Sequence, residues 1–207
     1  MSNRTDINVV FSFFQKNVPE LYSIVSKIDF NEWFENEIFD ENDIFKTLCR
    51  TIVGQQLAGK AANAIFLRFD SLLLGNITPE NILLTEPEQI REVGLSWAKV
   101  RSVVDLSTRV VNKELILGNL EEMNDEDLIE ELSKVKGIGR WTAEMFLMFQ
   151  LGREDIFSWG DLGLKNGLKK FLGKPEVTIP EMEEVVTKWK PYRTYGAIAL
   201  WHLLDNR

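Results

Sequence analysis

Cysteine and histidine are nearly missing from the 207-residue chain, which has one of each, Cys49 and His202. A single cysteine forms no intrachain disulfide and cannot ligate an iron–sulfur cluster. A single histidine cannot build a multi-histidine metal centre. Strand signals are as scarce, with no convincing period-two run and no Asn-Gly or Asp-Gly turn joining two β-branched runs. The apolar blocks are shorter than the ~18 residues needed to span a bilayer, and Met1 to Asp6 lack the basic-then-apolar pattern of a signal peptide. No low-complexity tract or repeat of ~20–50 residues is present. These absences predict a soluble, intracellular protein without a membrane partner; the chain is expected to be a monomer, cytoplasmic if bacterial or archaeal and nuclear if eukaryotic. Any catalysis rests on carboxylates.

What is present is helical periodicity and charge. Helices are predicted over 6–17, 20–27, 43–56, 59–70, 79–84, 87–93, 97–116, 125–133, 141–151, 161–171, 180–189 and 192–204, so the fold class is all-α. Pro79, Pro87 and Pro180 fall in first turns, and Gly94, Gly118, Gly152 and Gly173 at helix ends. Cys49 sits among Ile44, Leu48, Ile52 and Val53, as a buried structural thiol would. Trp33 and Trp97 are expected in the core. The net charge of −8 argues against a nucleic-acid partner. It is unevenly spread: residues 29–43 and 121–131 hold seven acids each and no base. Outside these two runs, read as solvated helix faces, 24 basic residues face 18 acidic ones (32 less 14), leaving a positive face available.

One segment is chemically specific. In Lys136-Gly137-Ile138-Gly139-Arg140, two glycines around one apolar residue permit a tight helix-to-helix turn that exposes amides at the start of the next helix. Such amides bind phosphate. Ile138 would anchor the turn, and Lys134, Lys136 and Arg140 would add positive charge. Val93-Gly94-Leu95 echoes the turn without its second glycine, so it reads as architectural. Twenty positions after Trp141, Asp161 stands where it would cap the helix that follows.

The hairpin, with Leu132 and Val135 before it and Trp141-Thr142-Ala143 after, resembles that of the helix-hairpin-helix DNA glycosylase superfamily, and within it the 3-methyladenine DNA glycosylase II branch. The likeness runs from about Phe45 to Trp201. It includes Arg50 to Gln56, Phe157-Ser158-Trp159-Gly160-Asp161-Leu162-Gly163 and Trp189 to Tyr195. Two positions depart from the family pattern, where Lys136 and Ser158 replace the usual prolines.

The resemblance implies a two-lobed helical fold with a DNA cleft between the lobes. Residues 30–130 would form a helical bundle, residues 131–207 the hairpin and catalytic lobe, and residues 1–29 a helical segment packed on the latter. The N-terminal β-rich domain of larger relatives is expected to be absent. It implies a monofunctional glycosylase for alkylated purines in double-stranded DNA, with Asp161 as the catalytic residue. The lysine nucleophile of bifunctional relatives is replaced by Trp141, which cannot form a Schiff base. Trp141, Trp159, Trp201 and Tyr195 would line the base pocket. Gln56, or else Leu57, would plug the gap left by the flipped base. Gly137, Ile138, Gly139, Arg140, Lys134, Lys136, Lys60 and Lys165, with Lys169 and Lys170, would hold the DNA. Carbonyls of Ser133, Lys136 and Ile138 would bind a structural Na+ or K+; no cofactor is implied for catalysis. Two other readings remain: a non-catalytic hairpin module that only docks on DNA, and a related glycosylase for deaminated or mismatched bases.

Overall fold

Helix punctuation, read residue by residue, accounts for most of the backbone. The structure, a computed structural model, describes residues 4–34, 44–120 and 122–205, and every regular element among them is helical. In chain order these are α1 (Ile7–Asn17), α2 (Pro19–Val25), α3 (Phe30–Phe34), α4 (Ile44–Gly54), α5 (Gly59–Leu72), α6 (Pro79–Leu84), α7 (Pro87–Glu92), α8 (Trp97–Val111), α9 (Asp125–Ser133), α10 (Arg140–Met145), α11 (Leu162–Leu172), α12 (Ile179–Thr187) and α13 (Arg193–Asp205), with a short 3-10 turn at Leu117–Asn119. The side chains of Thr78, Ser96, Asn124, Asp161 and Thr178 each accept a first-turn amide and so start their helices. Thr178 and Glu181 complete a reciprocal capping box.

Three elements differ from expectation. α8 stops at Val111 instead of residue 116, because Lys113 adopts φ +61° and the amides of Glu114 and Leu115 both donate to the Arg109 carbonyl. The helix expected over 141–151 is α10 followed by a wider π turn at Phe146–Gln150. α3 lies inside the first acidic run, where no helix was predicted. The expected helix start at residue 43, and the part of that run from 35 to 43, lie outside the described residues.

The chain forms two compact units, Met1–Glu37 with Leu147–Arg207, and Ile38–Phe146. In the first, α1 packs on α2, and α2, α11 and α12 pack on α13. Its core holds Phe14, Leu21, Leu164, Leu168, Trp189, Tyr195 and Leu200. α11 approaches α13 closely: a β-carbon on Gly167 would lie 2.8 Å from that of Leu200. In the second, α4 packs on α5 and α8, α6 and α7 on α8, and α10 on α9. Leu48, Ile52, Phe69, Ile82, Ile90, Val103, Leu106 and Leu132 fill its core, with Cys49 fully buried as a free thiol. Residues 131–146 thus belong with the bundle helices, whereas the sequence reading set them in the lobe of Asp161. The reason is that α10 packs on α9 and the turn before it is seated on α8.

Candidate functional site

The hairpin closes with the Val135 amide donating to Leu132 and the Ile138 amide to Val135. Val135 and Ile138 are buried, so Ile138 anchors the turn as expected. Gly137 has φ +83°, and a β-carbon there would meet the Ser102 hydroxyl at 2.2 Å, so both conformation and space require glycine. Three residues further along α8, the Asp105 carboxylate accepts the Lys136 amide at 2.9 Å and pairs with Arg109 at 3.0 Å. Burial pushes Asp105's pKa up, but the bonds from Lys136 and Arg109 outweigh it and hold the group below its ordinary value. The echoing turn shares the local geometry, with Gly94 at φ +111° and Leu95 buried.

The positive collar expected around the hairpin is largely paired. Lys134 donates to Glu131, Lys136 lies 3.6 Å from Asp105, and Arg140 donates to Glu126 at 2.7 and 2.9 Å and to the buried Glu144 at 2.9 Å. Sequence distance hid two of these partners: Glu126 is 14 residues from Arg140 and Asp105 is 31 from Lys136. Of the other expected DNA contacts, Lys60 is exposed and Lys165 and Lys169 are half-buried, while Lys170 donates to the Leu203 carbonyl.

After α4 the chain makes a turn closed by the Leu57 amide on the Gly54 carbonyl at 3.2 Å. Gln56 at its tip has φ +56°, a left-handed conformation that costs a side-chain-bearing residue roughly 1–2 kcal/mol. Gln56 and Leu57 are exposed. Two residues to which the sequence reading assigned no such role hold this turn. Gln55 donates through Nε2 to the Gly137 carbonyl at 2.8 Å and to the Thr142 hydroxyl at 3.3 Å. Lys99 donates to the carbonyls of Val53 and Gln55, both at 2.8 Å, and its burial lowers its pKa. Trp141 is 47% exposed. Trp97, expected in the core, is 45% exposed because it begins α8, one turn beyond the buried Val100.

In the other unit, Asp161 caps α11: its Oδ1 accepts the Leu164 amide at 2.8 Å and the Trp201 indole N–H at 3.3 Å. Gly163 leaves room beside this pair, since a β-carbon there would lie 2.9 Å from Oδ1 and 3.3 Å from the indole nitrogen. Trp201 is half-buried and stacks with Trp33 and Phe149, both at 6.1 Å between ring centroids. Trp33, expected in the core, is therefore half-exposed beside Trp201 instead. Phe149 was not singled out either; one ring at the end of a helical period carries no sign of what it faces. Trp159 is half-buried against Phe157. Tyr195 is 2% exposed, edge-on to Phe30 and Phe34, and donates to Glu154, which also accepts from the Thr5 amide and hydroxyl. Burial and Glu154 both raise its pKa, and the ring braces the core.

A helical chain with a seated Gly-Ile-Gly hairpin and an aspartate at a later helix start has the frame of a helix-hairpin-helix repair protein. Residues 49–191 match the HhH-GPD superfamily of base excision DNA repair proteins, and the chain belongs to that family. The alkylbase DNA glycosidase-like protein of Schizosaccharomyces pombe is 36% identical over 170 residues, 79% of either chain. DNA-3-methyladenine glycosylase 1 of the same yeast is 34% identical over 173 residues, 80% of this chain and 75% of its own. Among solved structures, DNA-3-methyladenine glycosidase from Bacillus halodurans matches with a TM-score of 0.72 at 33% identity, over 92% of this chain and 91% of that one. The S. pombe 3-methyladenine DNA glycosylase in complex with abasic DNA matches with a TM-score of 0.69 at 30% identity, over 95% of each.

Proposed function

We propose that the chain is a monofunctional DNA glycosylase that hydrolyses the N-glycosidic bond of alkylated purines, of the 3-methyladenine type, in double-stranded DNA. The observation that carries this is Asp161, fixed at the start of α11 by an amide and an indole N–H on one oxygen, beside stacked aromatic rings. As the base departs, positive charge grows on the deoxyribose. A carboxylate held in advance stabilises that charge and orients the attacking water. An alkylated purine is already cationic and leaves readily, so no separate general acid is needed. Cationic bases also favour aromatic walls. Trp201 is the leading wall, with Trp159, and Trp33 and Phe149 join this set. With indole in place of amine at Trp141, base release proceeds without Schiff-base strand cleavage through that position.

The hairpin would hold a DNA phosphate and the turn at Gln56 and Leu57 would fill the gap left by the flipped base, with Lys60 and Lys165 as further phosphate contacts. A monovalent cation would suit the hairpin: the turn's own hydrogen bonds are accepted by Leu132 and Val135 and the Gln55 side chain donates to Gly137, residues alternating with Ser133, Lys136 and Ile138, whose carbonyls would hold it. Such an ion would add positive charge facing a phosphate. The protein would act as a monomer.

The test is release of free bases from methylated duplex DNA by the wild type and by Asp161→Asn. We expect release by the wild type alone, with duplex affinity nearly unchanged in the variant. Binding without release by the wild type would leave a non-catalytic DNA-docking module, and turnover by Asp161→Asn would remove Asp161 from the chemistry.

A further inference from the structure

We propose that Lys99 is a positioning residue that, together with Gln55, locks the turn carrying Gln56 and Leu57 to the hairpin; the inference rests on reading that turn as the plug. The last carbonyls of an α-helix lack helical partners. At the end of α4, Val53 and the turn residue Gln55 present two such carbonyls, and one ammonium holds both at 2.8 Å. Lys99 lies in the first turn of α8, where its own helix disfavours a cation, but at the C-terminal end of α4, where a cation is favoured. Its placement serves the neighbouring element.

The same stretch of α8 holds the hairpin. Ser102 lies under Gly137 and Asp105 accepts the Lys136 amide, so residues 99, 102 and 105 bind the turn and the hairpin to consecutive turns of one helix. Gln55 closes the ring: its carbonyl accepts from Lys99 and its side-chain amide donates to Gly137. Gln56, with its left-handed conformation, follows directly on Gln55, and strained backbone persists only where its surroundings over-determine it. The consequence is a fixed register between the phosphate-holding loop and the side chain that enters the duplex.

The experiment uses the full chain and a duplex carrying one 7-methylguanine with 2-aminopurine as its neighbour, whose fluorescence rises when the base beside it is extruded. Lys99→Met should slow single-turnover base release at saturating protein by roughly 10- to 100-fold and lose the fluorescence rise, with duplex affinity nearly unchanged. Lys99→Arg should restore most of both. Gln55→Ala should reproduce the defect, and the double variant should be no worse than the poorer single one. Wild-type rate and fluorescence in Lys99→Met overturn the proposal. So does a loss of affinity matching the loss of rate, which marks a simple phosphate contact. If Lys99→Met does not fold, Lys99→Gln and Gln55→Ala carry the same comparison. A wild type that extrudes the base without releasing it overturns the glycosylase reading, while loss of that extrusion in Lys99→Met still upholds the positioning role.

Discussion

Gly137→Ala measures how tightly the hairpin is seated on α8. Its backbone φ of +83° costs a residue with a β-carbon about 1–2 kcal/mol. The new methyl would also lie 2.2 Å from the Ser102 hydroxyl and 3.2 Å from its β-carbon. Ser102 is buried and donates to the Ala98 carbonyl at 2.9 Å, so it yields only by breaking that bond or by lifting the turn off α8. Overpacking of this kind costs about 1–3 kcal/mol. The two effects together come to roughly 2–5 kcal/mol, a large share of the ~5–15 kcal/mol that holds a typical domain. Ser102→Ala removes the colliding oxygen and loses one local hydrogen bond, worth about 0.5–1.5 kcal/mol. In the double variant the collision is relieved and the backbone strain stays. Urea denaturation of the four proteins should therefore give a coupling energy of about 1–3 kcal/mol between the sites. Additivity within about 0.5 kcal/mol would mean that the hairpin does not rest on Ser102.

Gly163→Ala should leave stability within about 1 kcal/mol of wild type, yet slow base release by roughly tenfold or more, because the methyl displaces the Asp161 carboxylate or the Trp201 indole. Full turnover by that variant would show that their arrangement is not needed. Asp105 tests the hairpin through pH. Its folded pKa lies below the ordinary 3.8, so its contribution is complete above that value and is lost as pH falls through the folded one. The stability difference between wild type and Asp105→Asn should accordingly be constant near neutrality and shrink below about pH 4; a difference flat down to full acid unfolding would contradict the assignment. Glu126→Gln removes one partner of Arg140. Duplex binding should tighten by up to about 1 kcal/mol and depend more steeply on salt between about 50 and 200 mM, whereas an unchanged slope would mean that Arg140 does not reach DNA.

The features legible in the sequence are those that short-range chemistry determines. Pro79, Pro87 and Pro180 stand in first turns because a proline there gives up no helical hydrogen bond, and such punctuation is visible in a string of letters. The same logic located Asp161 at a helix start and Ile138 beneath the turn. Aromatic residues were harder. Trp97, Trp33 and Tyr195 each sit in helical periods with apolar neighbours, yet the first is exposed, the second half-exposed on Trp201 and the third buried on Glu154. Periodicity marks a side of a helix and not what lies opposite it. Lys99 and Gln55 were illegible for a related reason, since their partners are backbone carbonyls 44 to 82 residues away that no residue type announces.

Charge misled in a more consequential way. Setting aside the acidic runs turns a net charge of −8 into a surplus of basic residues, but only if the runs are separate from the bases that remain. Glu126 and Glu131 belong to the second run, and they are the partners of Arg140 and Lys134. Asp105 and Glu144, outside both runs, take up Lys136 and the rest of Arg140. The surplus at the hairpin is therefore mostly cancelled where it was expected to act. Affinity for DNA in such a protein has to come from groups that ion pairing does not consume: backbone amides and carbonyls in a turn of fixed shape, and side chains positioned to enter the duplex. On that view the seating of the hairpin by Ser102 and Asp105 and the bracing of the Gln56 turn by Lys99 and Gln55 stand in for the cations that pairing with Glu126, Glu131, Asp105 and Glu144 takes up.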